Sequence, residues 1–124
     1  MALTASELQK FMVEIFPRFD FTIVSAGNRS AVVELGTGER HLRPGGTISG
    51  PTLMTMADVA MYIAVLADIG KVALAVTTNL NINFFRKPSP GTLRAEARIL
   101  KLGQRLAVGD VMIFNVGEDE PVAH

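Results

Sequence analysis

Three kinds of hydrophobic spacing divide the chain. From Thr4 to Phe16, the residues Leu8, Phe11, Met12, Ile15 and Phe16 recur at three- and four-residue intervals, the mark of one helical face. Thr4 or Ser6 can cap that helix, and Pro17 ends it. Phe21–Ala26 and Arg29–Leu35 alternate apolar with polar positions, as half-buried strands do, and Gly27-Asn28 predicts a tight turn between them.

Between Leu53 and Ile69 the periodicity disappears. Apart from Asp58 and Asp68, almost every side chain there is apolar or small. A helix that is apolar all round is wrapped on most sides. Ser49 suits its cap, Pro51 its first turn and Gly70 its stop.

Period two then returns. In Val76–Phe85, Leu80, Ile82 and Phe84 share one face, while Asn79, Asn81 and Asn83 share the other. Leu93–Leu102 puts Arg94, Glu96 and Arg98 on a wet face, and Leu106–Phe114 reads as its return strand. Pro88–Gly91, Gly103-Gln104 and Gly117–Glu120 punctuate these runs, and Pro121–His124 reads as the start of one more strand. The order predicts an α+β layer fold, one domain over residues 1–124, with a long central helix packed on a curved antiparallel sheet and a short helix before it.

Composition narrows the function classes. A chain of 124 residues holds one core and not two. Hydrophobic residues make up 48% of it, an excess that points to a buried subunit interface. The formal net charge is zero and no basic cluster is interleaved with aromatics, so a nucleic-acid partner is not expected. With no cysteine there are no disulfides, thiolate metal sites or Cys nucleophiles. The two histidines, His41 and His124, lack metal-ligand spacing and read as surface residues, so no metal is expected. Met1–Glu7 lacks a basic-then-apolar leader pattern, which makes the cytoplasm the expected location. Thr52–Ile69 touches the lower length limit of a membrane span, but two acids and no basic belt favour a core helix and no membrane partner.

The chemistry concentrates where the long loop 36–49 runs into the central helix. Gly36, Gly38, Pro44, Gly45 and Gly46 fill that loop, and long loops in a compact domain are usually functional. Asp58 is a lone acid on an apolar helix. It is either a structural acid satisfied by a neighbour or a reactive carboxylate, and burial would make it the stronger base. Gly50 either permits a turn or offers its N–H to a carbonyl oxygen; Pro51 has no N–H to offer. One well-placed donor is worth about 3–4 kcal/mol of barrier in acyl transfer.

Eight residues separate Gly50 from Asp58, about 12 Å along one helix. Both cannot reach one carbonyl carbon from a single chain. If both act on one substrate, they come from two subunits, and the chemistry implies a homodimer.

Other candidates have two readings each. Ser49 reads as a cap before it reads as a nucleophile, because G-x-S-x-G spacing does not occur. Asn79, Asn81 and Asn83 form either a solvated face or an interfacial polar network, and Thr77 and Thr78 beside them are placed to orient a carboxylate or a water. Met54, Met56, Met61 and Tyr62 suggest an adaptable apolar wall for a substrate. Arg86, Lys87, Lys101 and Arg105 either meet phosphates or are simply solvated.

Taken together these segments resemble the hotdog-fold acyl-CoA thioesterases of the PaaI-like, phenylacetate-pathway type. In that family a sheet-wrapped helix opens with Gly-Thr-hydrophobic-His-Gly-Gly, and an acid follows nine residues after the His. Here the stretch is Gly46-Thr47-Ile48-Ser49-Gly50-Pro51, with Asp58 nine after Ser49. Thr77–Phe84 looks like the family's post-helix strand, and Pro88–Leu102 with Gly103–Ala107 like its closing meander. The resemblance implies a thioester hydrolase that releases free acid and CoA. It casts Asp58 as nucleophile or general base, the Gly50 amide as oxyanion donor and Thr77 as the hydroxyl that orients water. It places Ser49 and Arg43, which replace the usual His and Asn, beside the substrate. It implies no cofactor beyond the CoA of the substrate, and side-by-side dimers often paired into tetramers. The replaced His and the Pro51 substitution also suggest a catalytically weak acyl-CoA binding or regulatory protein. A hotdog hydratase is disfavoured, since no His lies on the helix.

Overall fold

Helix α1 (Ala5–Ile15) starts at a capping box: Thr4 Oγ1 accepts the Glu7 N–H at 3.1 Å, and the Glu7 carboxylate accepts the Thr4 N–H at 3.0 Å. Leu8 and Met12 point from it into the core. Its Gln9 faces the edge of the sheet, where Nε2 donates to the Phe21 carbonyl (3.0 Å) and Oε1 accepts the Ile23 N–H (2.8 Å). The side-chain amide thus stands in for a missing neighbour strand and blunts that edge.

The computed structural model describes residues 3–70 and 75–124. Strands β1 (Thr22–Gly27), β2 (Ser30–Gly36), β3 (Thr92–Leu102) and β4 (Ala107–Asn115) form one antiparallel sheet in that order. The first hairpin turns through Asn28 (φ 52°) and Arg29 (φ 60°), two left-handed residues in succession, which matches the twist of the strands it joins. Asp68 accepts the Arg29 N–H at 3.3 Å, so this helix acid serves the turn.

The long helix α2 (Gly50–Ile69) lies across the sheet. Leu53, Met56, Ala57, Ala60, Ile63, Ala64, Leu66 and Ala67 are buried on it, and Ala31, Val33, Leu35, Ala95, Ala97 and Ile113 rise to meet them from the strands. The contact is closest at Gly109 of β4: a Cβ there would stand 2.4 Å from the Arg98 carbonyl oxygen and 2.5 Å from Met61 Cε. By length and composition α2 is apolar enough to cross a membrane, but its buried face is occupied by the sheet.

Two expectations need correction. The first is the strand over Val76–Phe85. Only 83–85 is paired, with 122–124: Asn83 and His124 exchange both backbone hydrogen bonds (2.7 and 2.9 Å), and the Phe85 N–H reaches the Val122 carbonyl (2.8 Å). Residues 122–124 pair in turn with Ile113 of β4, so the short final strand read at Pro121–His124 is there. Before Asn83 the segment has no ladder among the described residues, and Val76, Leu80, Asn79 and Asn81 are exposed, Val76 at 81%, while Ile82 is partly buried against the core.

The second is the wrapping of α2. Pro51, Met54, Thr55, Asp58 and Ile69 are exposed, and Val59, Met61, Tyr62 and Val65 are only partly covered. Their spacing of three to four residues makes one continuous stripe. Periodicity could not show it, because the residues of the stripe are mostly as apolar as those of the core.

Candidate active site

The loop that precedes α2 is folded onto itself. Leu42 bridges Ile48, the Arg43 N–H reaches the Thr47 carbonyl (2.8 Å), and the Gly46 N–H reaches the Arg43 carbonyl (3.1 Å). Gly45 (φ 101°) and Gly46 (φ 80°) make this reversal in the left-handed region. The Ser49 N–H then bonds the His41 carbonyl at 2.8 Å, which ties the end of the loop to its beginning. Ser49 Oγ accepts the Thr52 N–H at 3.3 Å, so Ser49 is the N-cap, as its position predicts.

Gly50 is therefore the first helical residue, and no described residue accepts a hydrogen bond from its N–H. Phe84 lies against it: a Cβ on Gly50 would stand 3.4 Å from Phe84 Cζ. Sequence reasoning placed Phe84 on an apolar strand face and missed this contact. It arises because the pairing of 83–85 with 122–124 brings the ring to the helix start.

Asp58 sits two turns further on, in the exposed stripe. Burial by its own chain, which would strengthen it as a base, is absent. Its Oδ1 accepts a hydrogen bond from the Thr77 hydroxyl, the pairing that the sequence suggested for a group orienting a carboxylate. The structure thus makes two separate groupings on one chain, Asp58 with Thr77 and Gly50 with Phe84, about 12 Å apart along α2.

The remaining candidates divide. Met54 is exposed beside Asp58, and Tyr62 lies edge-on to Phe16 with ring centroids 6.2 Å apart; partial burial raises the Tyr62 pKa. Met56 is fully buried and lines no surface, which removes it from the apolar wall, and Met61 is drawn into the gap at Gly109. Asn79 and Asn81 are exposed. Arg43, Lys87 and Arg105 are also exposed, in three different loops. Arg86 is engaged elsewhere: its Nη2 donates to Glu118 at 2.5 Å and to the Glu120 carbonyl at 2.9 Å, so it is a structural link between segments rather than a free cation.

His41 also departs from expectation. Its side chain is only 13% exposed. Nδ1 accepts the Gly38 N–H at 2.8 Å, and Nε2 stands 3.8 Å from Asp20 Oδ2, an oxygen that Arg40 already holds. Burial, and after it the charge of Arg40, lower the His41 pKa from the ordinary histidine value. Spacing alone gave no sign of this, because Asp20 reaches His41 only through the fold. With Arg18, Ser49, Pro51 and Thr52 these residues border an open cleft of about 370 Å³ at the start of α2. Among the described residues no group of three or more His, Asp or Glu is arranged to hold a metal ion.

Known proteins are similar to this chain in sequence and fold. A family model described as the Thioesterase superfamily matches residues 45–122. A protein of Pseudomonas aeruginosa provisionally named an esterase is 36% identical over 88 residues, covering 70% of this chain and 66% of that protein. Among solved structures, a protein provisionally named a thioesterase, from Silicibacter sp. TM1040, is 46% identical with a TM-score of 0.87, covering 96% of this chain and 85% of its own. A phenylacetic acid degradation protein PaaI of Thermus thermophilus is 26% identical with a TM-score of 0.73, covering 92% and 91%. The family match takes in the end of the loop from residue 45, the whole of α2, the Thr77 segment and the β3–β4 meander, and the solved structures share the hotdog arrangement of helix on sheet: the chain belongs to the Thioesterase superfamily.

Proposed function

We propose that the protein hydrolyses acyl-CoA thioesters to free acid and CoA, at sites shared between two copies. The observation that carries this reading is the Thr77–Asp58 pair, held in an exposed stripe of an otherwise buried helix whose start presents an unbonded amide. An exposed carboxylate on apolar surface gains reactivity when a second surface covers it and removes water. The uncovered stripe of α2 and the unladdered segment before Asn83 are such a surface in waiting. Two copies set side by side bring Asp58 of one toward Gly50 of the other, which resolves the separation of the half-sites.

In the reaction the thioester carbonyl oxygen accepts the Gly50 N–H, and the helix start stabilises the charge that develops there. Asp58 acts as nucleophile, or as the base that takes a proton from an attacking water. Thr77 fixes Oδ1 and so orients the carboxylate. On the base route, collapse of the tetrahedral species breaks the C–S bond, and the CoA sulfur leaves with the proton that Asp58 took from water. On the nucleophile route, CoA leaves as the thiolate. Water then hydrolyses the mixed anhydride to the free acid and the Asp58 carboxylate, its proton passing to the thiolate or solvent. Ser49 and Arg43 flank this position on the loop side, and Met54 and Tyr62 on the acyl side; Asn79, Asn81, Lys87 and Arg105 are candidates for the CoA moiety.

Purified protein given a panel of acyl-CoAs, with free thiol as the readout, tests the reading. Release of CoA that Asp58→Asn abolishes supports it. Tight binding with no release replaces it with an acyl-CoA binding protein. Sedimentation of the same sample reports whether pairs, or pairs of pairs, are the working unit.

A further inference from the structure

We propose that His41 is a positioning residue, a titratable latch that holds the pre-helix loop and through it the aim of the Gly50 amide. The inference rests on the reading of Gly50 as the carbonyl's donor. It begins from three contacts converging on one residue. The His41 ring accepts the Gly38 N–H (2.8 Å), reinforcing the 3₁₀ turn Glu39–His41 that the His41 N–H closes on the Gly38 carbonyl (2.9 Å). The His41 carbonyl accepts the Ser49 N–H (2.8 Å) and lies 3.4 Å from the Thr52 hydroxyl that donates to it. Ser49 caps α2, so one residue ties the beginning of the loop to the last position before Gly50.

The ring contact exists in one protonation state only. An Nδ1 that accepts from Gly38 carries no proton, so the neutral ring holds its hydrogen on Nε2. A second proton would have to occupy Nδ1, where it would face the Gly38 N–H donor to donor. Protonation therefore breaks the ring contact, one of the two hydrogen bonds between His41 and Gly38, and leaves the backbone bond of the turn to hold alone.

The charged groups around the ring do not reverse this. Asp20 is the described acid nearest to it, but at 3.8 Å from Nε2 it is beyond hydrogen-bond range, and its Oδ2 is neutralised by Arg40. Arg40 opposes a positive ring, and Arg18 borders the same cleft. The other cleft residues are Phe21, Leu35, Pro51 and the hydroxyls of Ser49, Thr52 and Thr55, none of which titrates near neutrality. Burial is the largest cause and acts in the same direction as Arg40; a backbone hydrogen bond at Gly38 acts the other way and is the smallest of the three. The latch stays closed at neutral pH and opens below the ordinary histidine range.

The sign for stability follows. A ring held neutral in the fold contributes fully above the ordinary value of 6.5, and that contribution is lost as pH falls through the lower folded value.

The decisive variant is His41→Asn, whose Oδ1 can accept the Gly38 N–H but does not titrate. At neutral pH its kcat should lie within about threefold of wild type, as a retained hydrogen bond requires. Below pH 6 wild-type kcat should fall faster than that of the variant, with KM little changed, because an oxyanion donor acts in the transition state. Anything else that titrates in the site is common to both proteins. His41→Ala should lose tenfold or more in kcat at neutral pH, about the effect of losing one hydrogen bond.

A second readout needs no turnover. In wild-type protein, the amide resonances of Gly38, Ser49 and Gly50 should shift together with the His41 ring as pH is lowered. If the three amides follow the ring but no thioester is cleaved, the hydrolase reading falls and the latch stands. If they ignore the ring, or if wild type and His41→Asn share one kcat profile, the latch is overturned.

Discussion

The Thr77 hydroxyl donates its hydrogen bond to the Asp58 carboxylate across nineteen residues of chain. This bond anchors the segment before Asn83, which has no ladder among the described residues, to the middle of α2. Among the described residues no donor reaches the second carboxylate oxygen of Asp58, which lies on the exposed stripe. A carboxylate held by one oxygen and open at the other has a fixed direction of attack.

Asp58→Asn should leave the fold intact and lower thioester turnover by about a hundredfold or more, the usual contribution of a positioned acid or base. Thiol release and a thermal melt on the same sample check this. Turnover within a few-fold of wild type would remove Asp58 from the mechanism.

Thr77→Val should lower kcat by about ten- to a hundredfold, matching a lost hydrogen bond to a charged group. Thr77→Ser should retain most of the activity, since it keeps the donor. Steady-state kinetics of the pair distinguish orientation of Asp58 from simple packing, which the serine variant would disturb as well.

Leu80→Asp should yield a folded protein that sediments as a smaller species and has lost turnover. Leu80 is 40% exposed in a segment with no ladder of its own, so a single chain has little need of it. A shared site has such a need, because a charge at an apolar contact between copies is left unpaired. An active Leu80→Asp monomer would contradict the shared site.

Gly109→Ala should destabilise the protein by about 1–3 kcal/mol, the usual cost of overpacking a core. The methyl group meets a backbone oxygen at 2.4 Å, which cannot move aside as the Met61 side chain can. Urea unfolding measures the change, and Gly109→Ala with Met61→Ala should recover only part of it.

Much of the fold was legible because local spacing caused it. The capping residue of α1, the first hairpin turn (read at Gly27-Asn28 and found one residue later, at Asn28-Arg29), the Ser49-Gly50-Pro51 start and the Gly70 stop are each set by residues within a few positions of the event. The eight-residue gap between Gly50 and Asp58 is likewise a property of any helix, so the condition that both reach one substrate only from two chains followed before any contact was known.

Other features depended on segments remote in sequence. Whether apolar side chains of α2 are core or open surface is decided by where the sheet ends, and Met54 and Met56 show it: they are chemically identical and two residues apart, yet Met56 is buried and Met54 is not. The burial of His41, the engagement of Arg86 by Glu118 and the placement of Phe84 on Gly50 likewise join positions that only chain folding brings together. Sequence alone determined both helices, the four strands of the main sheet and their order, though not the unpaired stretch before Asn83, because hydrogen-bonding periodicity and capping are short-range. Tertiary structure alone decided which faces stay uncovered and which charges are already paired, because burial is a property of the whole packed surface.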